Sequence, residues 1–218
     1  MANTKIRRTI TRRRPPQFEL IAGAVCLDFI NTLDDRFSDK PKELLANYGD
    51  LARFAEDAGI LPLGEFDLLE PGFGSSAAAQ THYYAIEMRE AMARVFSAIV
   101  NKKPVPPKVL DALNGFLQEA AQHWRLVQQN GGFEWRFDAR PTRFDAPLWP
   151  IARSAADLLA SEHVAYVRAC ASDTCRWFFL DTSKNHRRRW CDMTKCGNRA
   201  KSQRFYSRRS SGRKKRSG

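Results

Sequence analysis

The chain has 218 residues, enough for one ordinary domain with a small appended module, and its 43% hydrophobic content can bury a real core. No window approaches the ~18 consecutive apolar residues of a membrane span, and the basic opening, MANTKIRRTITRRRPPQ, lacks the apolar stretch and cleavage site of a secretory signal. The net charge of +12 is segregated: residues 183–218 carry 14 Lys/Arg against one acid, residues 1–14 carry six against none, and 15–181 are net −7. Segregated charge of this kind marks where a polyanion would sit.

In chain order the sequence divides into a basic disordered arm (1–17), a globular body (18–160), a cysteine-rich basic module (161–209) and a basic disordered tail (210–218). Within the body, Leu44 to Ala58 has helical apolar spacing and stops at Gly59, a C′ glycine. Gly72 to Gly74 with two serines marks a loop. A long periodic run from Thr81 to Val100 follows, then a Pro-rich break at 104–107 and a further helix from Val109 to Ala121. The period changes at Trp124: alternation on either side of Asn130-Gly131-Gly132 predicts a β-hairpin ending at Phe137. Pro147 to Leu159 returns to helix. Asp28 and Asn31, in the apolar stretch CLDFINT, read as capping or buried hydrogen-bonding residues before they read as a polar site. Cys26, alone in the same stretch, reads as a small buried hydrophobe.

No Gly-rich phosphate loop, HExxH, GxSxG or acid pair is present, and His82, His123 and His163 are scattered; nothing in the sequence argues for an enzyme. Four of the five cysteines crowd into the C-terminal module as two C-x4-C pairs, Cys170/Cys175 and Cys191/Cys196, with 15 residues between them. Two short-spaced thiolate pairs meet the tetrahedral demand of one structural Zn2+ per chain, whereas a disulfide framework would need an oxidising compartment. His186 is a far weaker ligand candidate, lying inside an Arg-rich loop. Arg176 to Leu180 is a strand candidate, and the run from Gly197 to Arg209 forms a helix with Cys196 in its first turn. The fold class is therefore α+β: a helix-rich N-terminal domain plus a small C-terminal treble-clef-like zinc finger. Trp177, Phe178, Phe179 and Trp190 form the finger's core, and zinc supplies the stability that so short a segment lacks.

On the final helix Lys201, Arg204 and Arg208 recur on one face, flanked by Arg209 and by Arg187, Arg188 and Arg189 in the preceding loop; all are candidate phosphate contacts. Asn198 and Arg199 either read bases or brace the zinc site. The arm at 1–14 reads first as a solvated, disordered tail and second as a minor-groove contact.

These residues carry a resemblance. FFLDTSKNHRRRWCDMTKCGNRAK resembles the CGNR zinc-finger family, named for what are here Cys196, Gly197, Asn198 and Arg199, with a small departure at Thr182-Ser183-Lys184. CLDFINTLDDR and NYGDLARFAEDAGIL resemble the ABATE domain that precedes this finger in bacterial proteins. The resemblance implies a stress-related, zinc-dependent transcriptional regulator in the cytoplasm, at the nucleoid, binding duplex DNA through the finger while the N-terminal domain dimerises or senses a signal. An RNA- or ribosome-associated zinc protein and a protein-interaction module are the alternatives from other classes.

Overall fold

A computed structural model describes residues 17–61, 65–129, 131–137, 143–202 and 205–206; residues 1–16 of the basic arm, the C-terminal tail and Arg204, Arg208 and Arg209 lie outside the described residues. About half of the chain is helical, and the described residues form three two-stranded antiparallel sheets.

The centre of the body is a short helix, α1 (Val25–Ile30), whose Cys26, Leu27, Phe29 and Ile30 are all fully buried. A helix buried on every face has no amphipathic period, so its sequence does not announce it. A minimal sheet, β1 (Leu33–Asp34) with β2 (Lys42–Glu43), follows.

Helix α2 (Tyr48–Asp57) starts four residues later than its apolar spacing suggests. Asn47 and Asp50 form a reciprocal capping box, which fixes the start at Tyr48 and leaves Leu44 and Leu45 in the approach. It ends as expected at Gly59, which takes φ +67°. A single turn, α3 (Glu65–Leu69), and a 3₁₀ turn lead to the longest helix, α4 (Ser76–Val100). Ser75 caps α4 by accepting the Ala78 N–H at 3.2 Å, so α4 begins five residues before the periodic run. Its inner face buries Ala78, Thr81, Ala85, Met88, Met92 and Phe96.

Helix α5 (Pro107–Ala121) opens with proline at its first position and buries only Leu113 and Ala120. The hairpin appears where the alternation places it: β3 (Trp124–Gln129) pairs with β4 (Gly132–Phe137), and Gly131 takes φ +79° in the turn. Helix α6 (Leu148–Leu159) then packs against α5 and α1 and carries Trp149 and Ile151 into the core.

The cysteine module is not a separate bead. Strand β5 (Val167–Ala169) pairs with β6 (Phe178–Leu180), and Phe178 and Phe179 enter the same hydrophobic cluster as α1, α2, α4 and α6. The hairpin brackets the first cysteine pair instead of lying between the two pairs. In the body Arg89, 2% exposed, holds both oxygens of Glu43 at 2.6 Å and donates to Thr32 Oγ1 at 3.2 Å. Those hydrogen bonds outweigh the cost of burial and hold the Glu43 carboxyl below its usual range.

Candidate metal centre and basic surface

The first cysteine pair occupies the turn between β5 and β6. Cys170 N–H donates to Trp177 O and Ala171 N–H to Arg189 O, both at 2.8 Å, which zips the two cysteine loops together. The second pair straddles the start of the last helix. Asp192 accepts from Thr194 N–H and Lys195 N–H and so caps a five-residue π turn, Met193–Gly197, that carries Cys196 and runs into helical residues 198–202. Gly197 lies so close to Met193 that a Cβ there would overlap its sulfur.

The outcome is four buried thiols whose sulfurs all lie within 4.8 Å of one another. Cys175 Sγ is 3.6 Å from Cys191 Sγ, and Cys191 Sγ is 3.8 Å from Cys196 Sγ. A disulfide would need about 2.05 Å. A zinc tetrahedron with Zn–S near ~2.3 Å has edges of ~3.8 Å, so the spacing fits one structural zinc ion. The proton balance agrees. Side-chain hydrogen bonding with Cys175 and Cys191 drives the Cys170 thiol down, while the same sharing and burial push those two up. Cys196 is pushed up by burial and by the charge at Cys170. Protons alone stabilise one thiolate here; four require a cation.

A support shell surrounds the sulfurs. Asp181, 1% exposed, accepts from the Ser183 hydroxyl at 2.6 Å, from Ser183 N–H at 3.1 Å and from Arg188 N–H at 2.8 Å, which shapes the loop between the pairs. His186 sits in that loop at φ +47°, donates from Nδ1 to Asp181 O and stacks on Tyr166 at 3.8 Å. It takes no place among the sulfurs.

The candidate nucleic-acid residues fall into two groups. Arg187, Arg189 and Lys201 are exposed, the Arg189 guanidinium lying 5.5 Å from the Trp190 ring centre. Arg188 is turned inward: its guanidinium lies 4.6 Å from the centre of the Phe179 ring, Nε donates to Trp190 O at 2.9 Å and Nη2 donates to Cys191 O. Asn198 and Arg199 are exposed yet engaged. Asn198 Nδ2 donates to Thr194 O at 3.0 Å, and Arg199 Nη1 reaches Thr174 Oγ1 in the first cysteine loop at 3.4 Å. Arg199 also lines a cleft of about 300 Å³ between finger and body, opposite Asp34 and Asp35.

The junction with the body includes residues that a reading of the sequence cannot pair. Asn31 on the body accepts Phe178 N–H at 2.9 Å and donates to Phe178 O at 2.8 Å, across 147 positions. Leu180 N–H donates to Ala22 O at 2.7 Å, Trp177 Nε1 to Asp34 Oδ1 at 2.7 Å, and Lys195 pairs with Glu19. Asp28 is likewise structural, accepting Ala22 N–H at 2.9 Å. The buried hydrogen-bonding reading of Asp28 and Asn31 therefore holds, and Asn31 acquires a further role as the clamp on β6.

Among the described residues no helix is long and apolar enough to cross a membrane. Comparison with protein families gives two matches: the ABATE family, described as "Putative stress-induced transcription regulator", over residues 23–162, and the CGNR zinc finger over residues 166–209. No curated protein matches the chain. With the first match spanning well over half of the sequence and the second covering the four-cysteine cluster, the chain belongs to the ABATE family and carries a CGNR zinc finger behind that domain.

Proposed function

We propose that the protein is a zinc-dependent, DNA-binding transcriptional regulator in which Cys170, Cys175, Cys191 and Cys196 hold one zinc ion and the finger's basic surface contacts duplex DNA. The observation that carries this reading is the setting of the cluster: exposed Arg187 and Arg189 immediately precede its second cysteine pair in the chain, and the helix bearing exposed Lys201 immediately follows it. Arg204, Arg208 and Arg209 and the basic tail extend the same charge in sequence. Phosphate contacts from these groups give affinity and register. Asn198 and Arg199, already bonded within the finger, fix the helix start, and Arg188 fastens the second cysteine loop, so base reading falls to the helix beyond residue 199. The body, residues 18–160, serves dimerisation or signal sensing at the nucleoid, with residues 161–209 as the DNA-binding unit.

The test is selection of genomic DNA fragments by the zinc-loaded protein, paired with the zinc-stripped protein. A recurrent motif recovered only with zinc supports the reading; the same motif recovered by fully zinc-free protein overturns it. A second reading, RNA binding, is favoured by one observation: Phe205 and Tyr206 on the basic helix are 56% and 68% exposed, as base-stacking platforms are. Competition of structured RNA against duplex DNA separates the two.

A further inference from the structure

The β3–β4 hairpin has two unlike faces. Its register pairs Trp124 with Phe137, Leu126 with Trp135 and Gln128 with Phe133, which puts these six side chains on one face without a single charge. Arg125, Glu134 and Arg136 fall on the other, where Arg136 pairs with Glu134. At the base of the uncharged face, Trp124 is covered by the Arg153 guanidinium 3.7 Å from its ring centre, and Phe137 is half-buried. Towards the turn the stripe is bare: Leu126 is 56% exposed, Trp135 61% and Phe133 70%. Beside it, a groove of about 400 Å³ runs between the hairpin, α5 and α6, walled by Leu117, Ala121, Trp124, Trp135 and Ala156.

We infer that this face is a two-fold dimerisation surface and that its occupant is the same face of a second copy of the chain. A knob, Phe133 near the turn, and a hole, the groove at the hairpin base, lie on one side of one element. A two-fold axis sets each knob at the other copy's hole and closes both at once, as isologous contacts do. The area is sufficient. Side chains of this size present about 150–250 Å² each, so three of them at these exposures leave roughly 300–400 Å² open per chain. Doubling that and adding groove walls and hairpin backbone brings the contact to about 1,000 Å², where specific interfaces begin. The face offers a polyanion little, because the hairpin's arginines project from the opposite one and Arg153, which lines the groove, is paired with Asp157 at 2.5 Å. The hairpin itself gains, since a two-stranded ribbon packed only at its base is marginal in water. This rests on the proposed regulator for its purpose, a dimer reading two half-sites, but not for its test.

That test is sedimentation velocity of the zinc-loaded full-length protein without nucleic acid, at micromolar concentration. The wild type is expected to sediment as a dimer. Phe133→Glu and Trp135→Glu should each weaken self-association at least about thirtyfold, as loss of a buried aromatic anchor does. Glu134→Gln, on the opposite face, should leave the dimer intact. Unchanged zinc content and helical circular dichroism show that the variants fold. A wild type that stays monomeric overturns the inference, as does a dimer insensitive to both glutamates. Neither result bears on whether the finger binds DNA, which is read separately from single half-site affinity.

Discussion

Asp28 on α1 and Asn31 just past its end lie three residues apart, and each shows how a single buried polar group ties separate segments together. Asn31 uses both ends of its amide on Phe178, donor to its C=O and acceptor to its N–H, so one side chain satisfies both backbone groups. Asn31→Ala leaves both backbone groups buried without partners and should lower unfolding stability by about 2–4 kcal/mol, read by urea denaturation with zinc bound. A loss below about 0.5 kcal/mol would show that β6 is held elsewhere. Asp28 is a different case. Burial raises its pKa to about 6, against the Ala22 and Ile21 N–H groups that favour the charged form. An acid whose folded pKa is raised binds more protons folded than unfolded, so stability must fall as pH rises from about 4 to 6 and stay lower above that window. Asp28→Asn keeps an acceptor for Ala22 N–H without the charge. It should flatten that slope and raise stability at mildly alkaline pH by about 1 kcal/mol, measured as the denaturation midpoint across pH. An unchanged slope would place the titration in another group.

At the scale of elements, the finger is a composite of parts that depend on zinc to different degrees. Strand β6 is fastened to the body by Asn31 and Ala22 and contributes Phe178 and Phe179 to the common core, whereas the two cysteine loops converge chiefly on the metal site. Chelation should therefore strip amide-exchange protection from residues 170–176 and 186–198 while β5 and β6 keep theirs. Loss of protection across the whole module would mean that zinc also holds the strands. Arg188 supports the second loop by stacking on Phe179 while donating to Trp190 O and Cys191 O. Arg188→Ala should weaken zinc binding by about 10–100-fold, the usual effect of removing a ligand's support. Arg188→Lys should not restore it, because an ammonium can neither stack nor reach both carbonyls in a fixed plane. Competition with a chromogenic chelator measures both.

For the whole molecule the deciding quantity is the separation of charge, an acidic body between basic ends. Acids of the body meet the finger at the junction, Glu19 against Lys195 and Asp35 near Arg199, which leaves Arg187, Arg189 and Lys201 as free basic groups among the finger residues named above. Nucleic-acid affinity should fall steeply and linearly on a log–log salt plot, and replacing Arg187 and Arg189 together by Ala should reduce that slope by about 2. Fluorescence anisotropy across a salt series checks it. A flat plot would favour an acidic protein partner over any polyanion.

What the sequence determined by itself was whatever depends on local spacing. Two C-x4-C pairs announce four sulfurs for one metal, alternation around Asn130-Gly131-Gly132 announces a hairpin, and 3.6-residue periodicity announces α4, α5 and α6, because each is encoded within a few residues of itself. What only the tertiary structure decided was which of several chemically competent groups face inward. Among three adjacent arginines it turns Arg188 to the metal loop and leaves its neighbours in water. It buries α1 on every side, which erases the periodicity that would have revealed it. It pairs Asn31 with Phe178 across 147 positions. Such pairings follow from how elements pack, and packing depends on the shape of surfaces brought together from the whole chain, which no local pattern encodes.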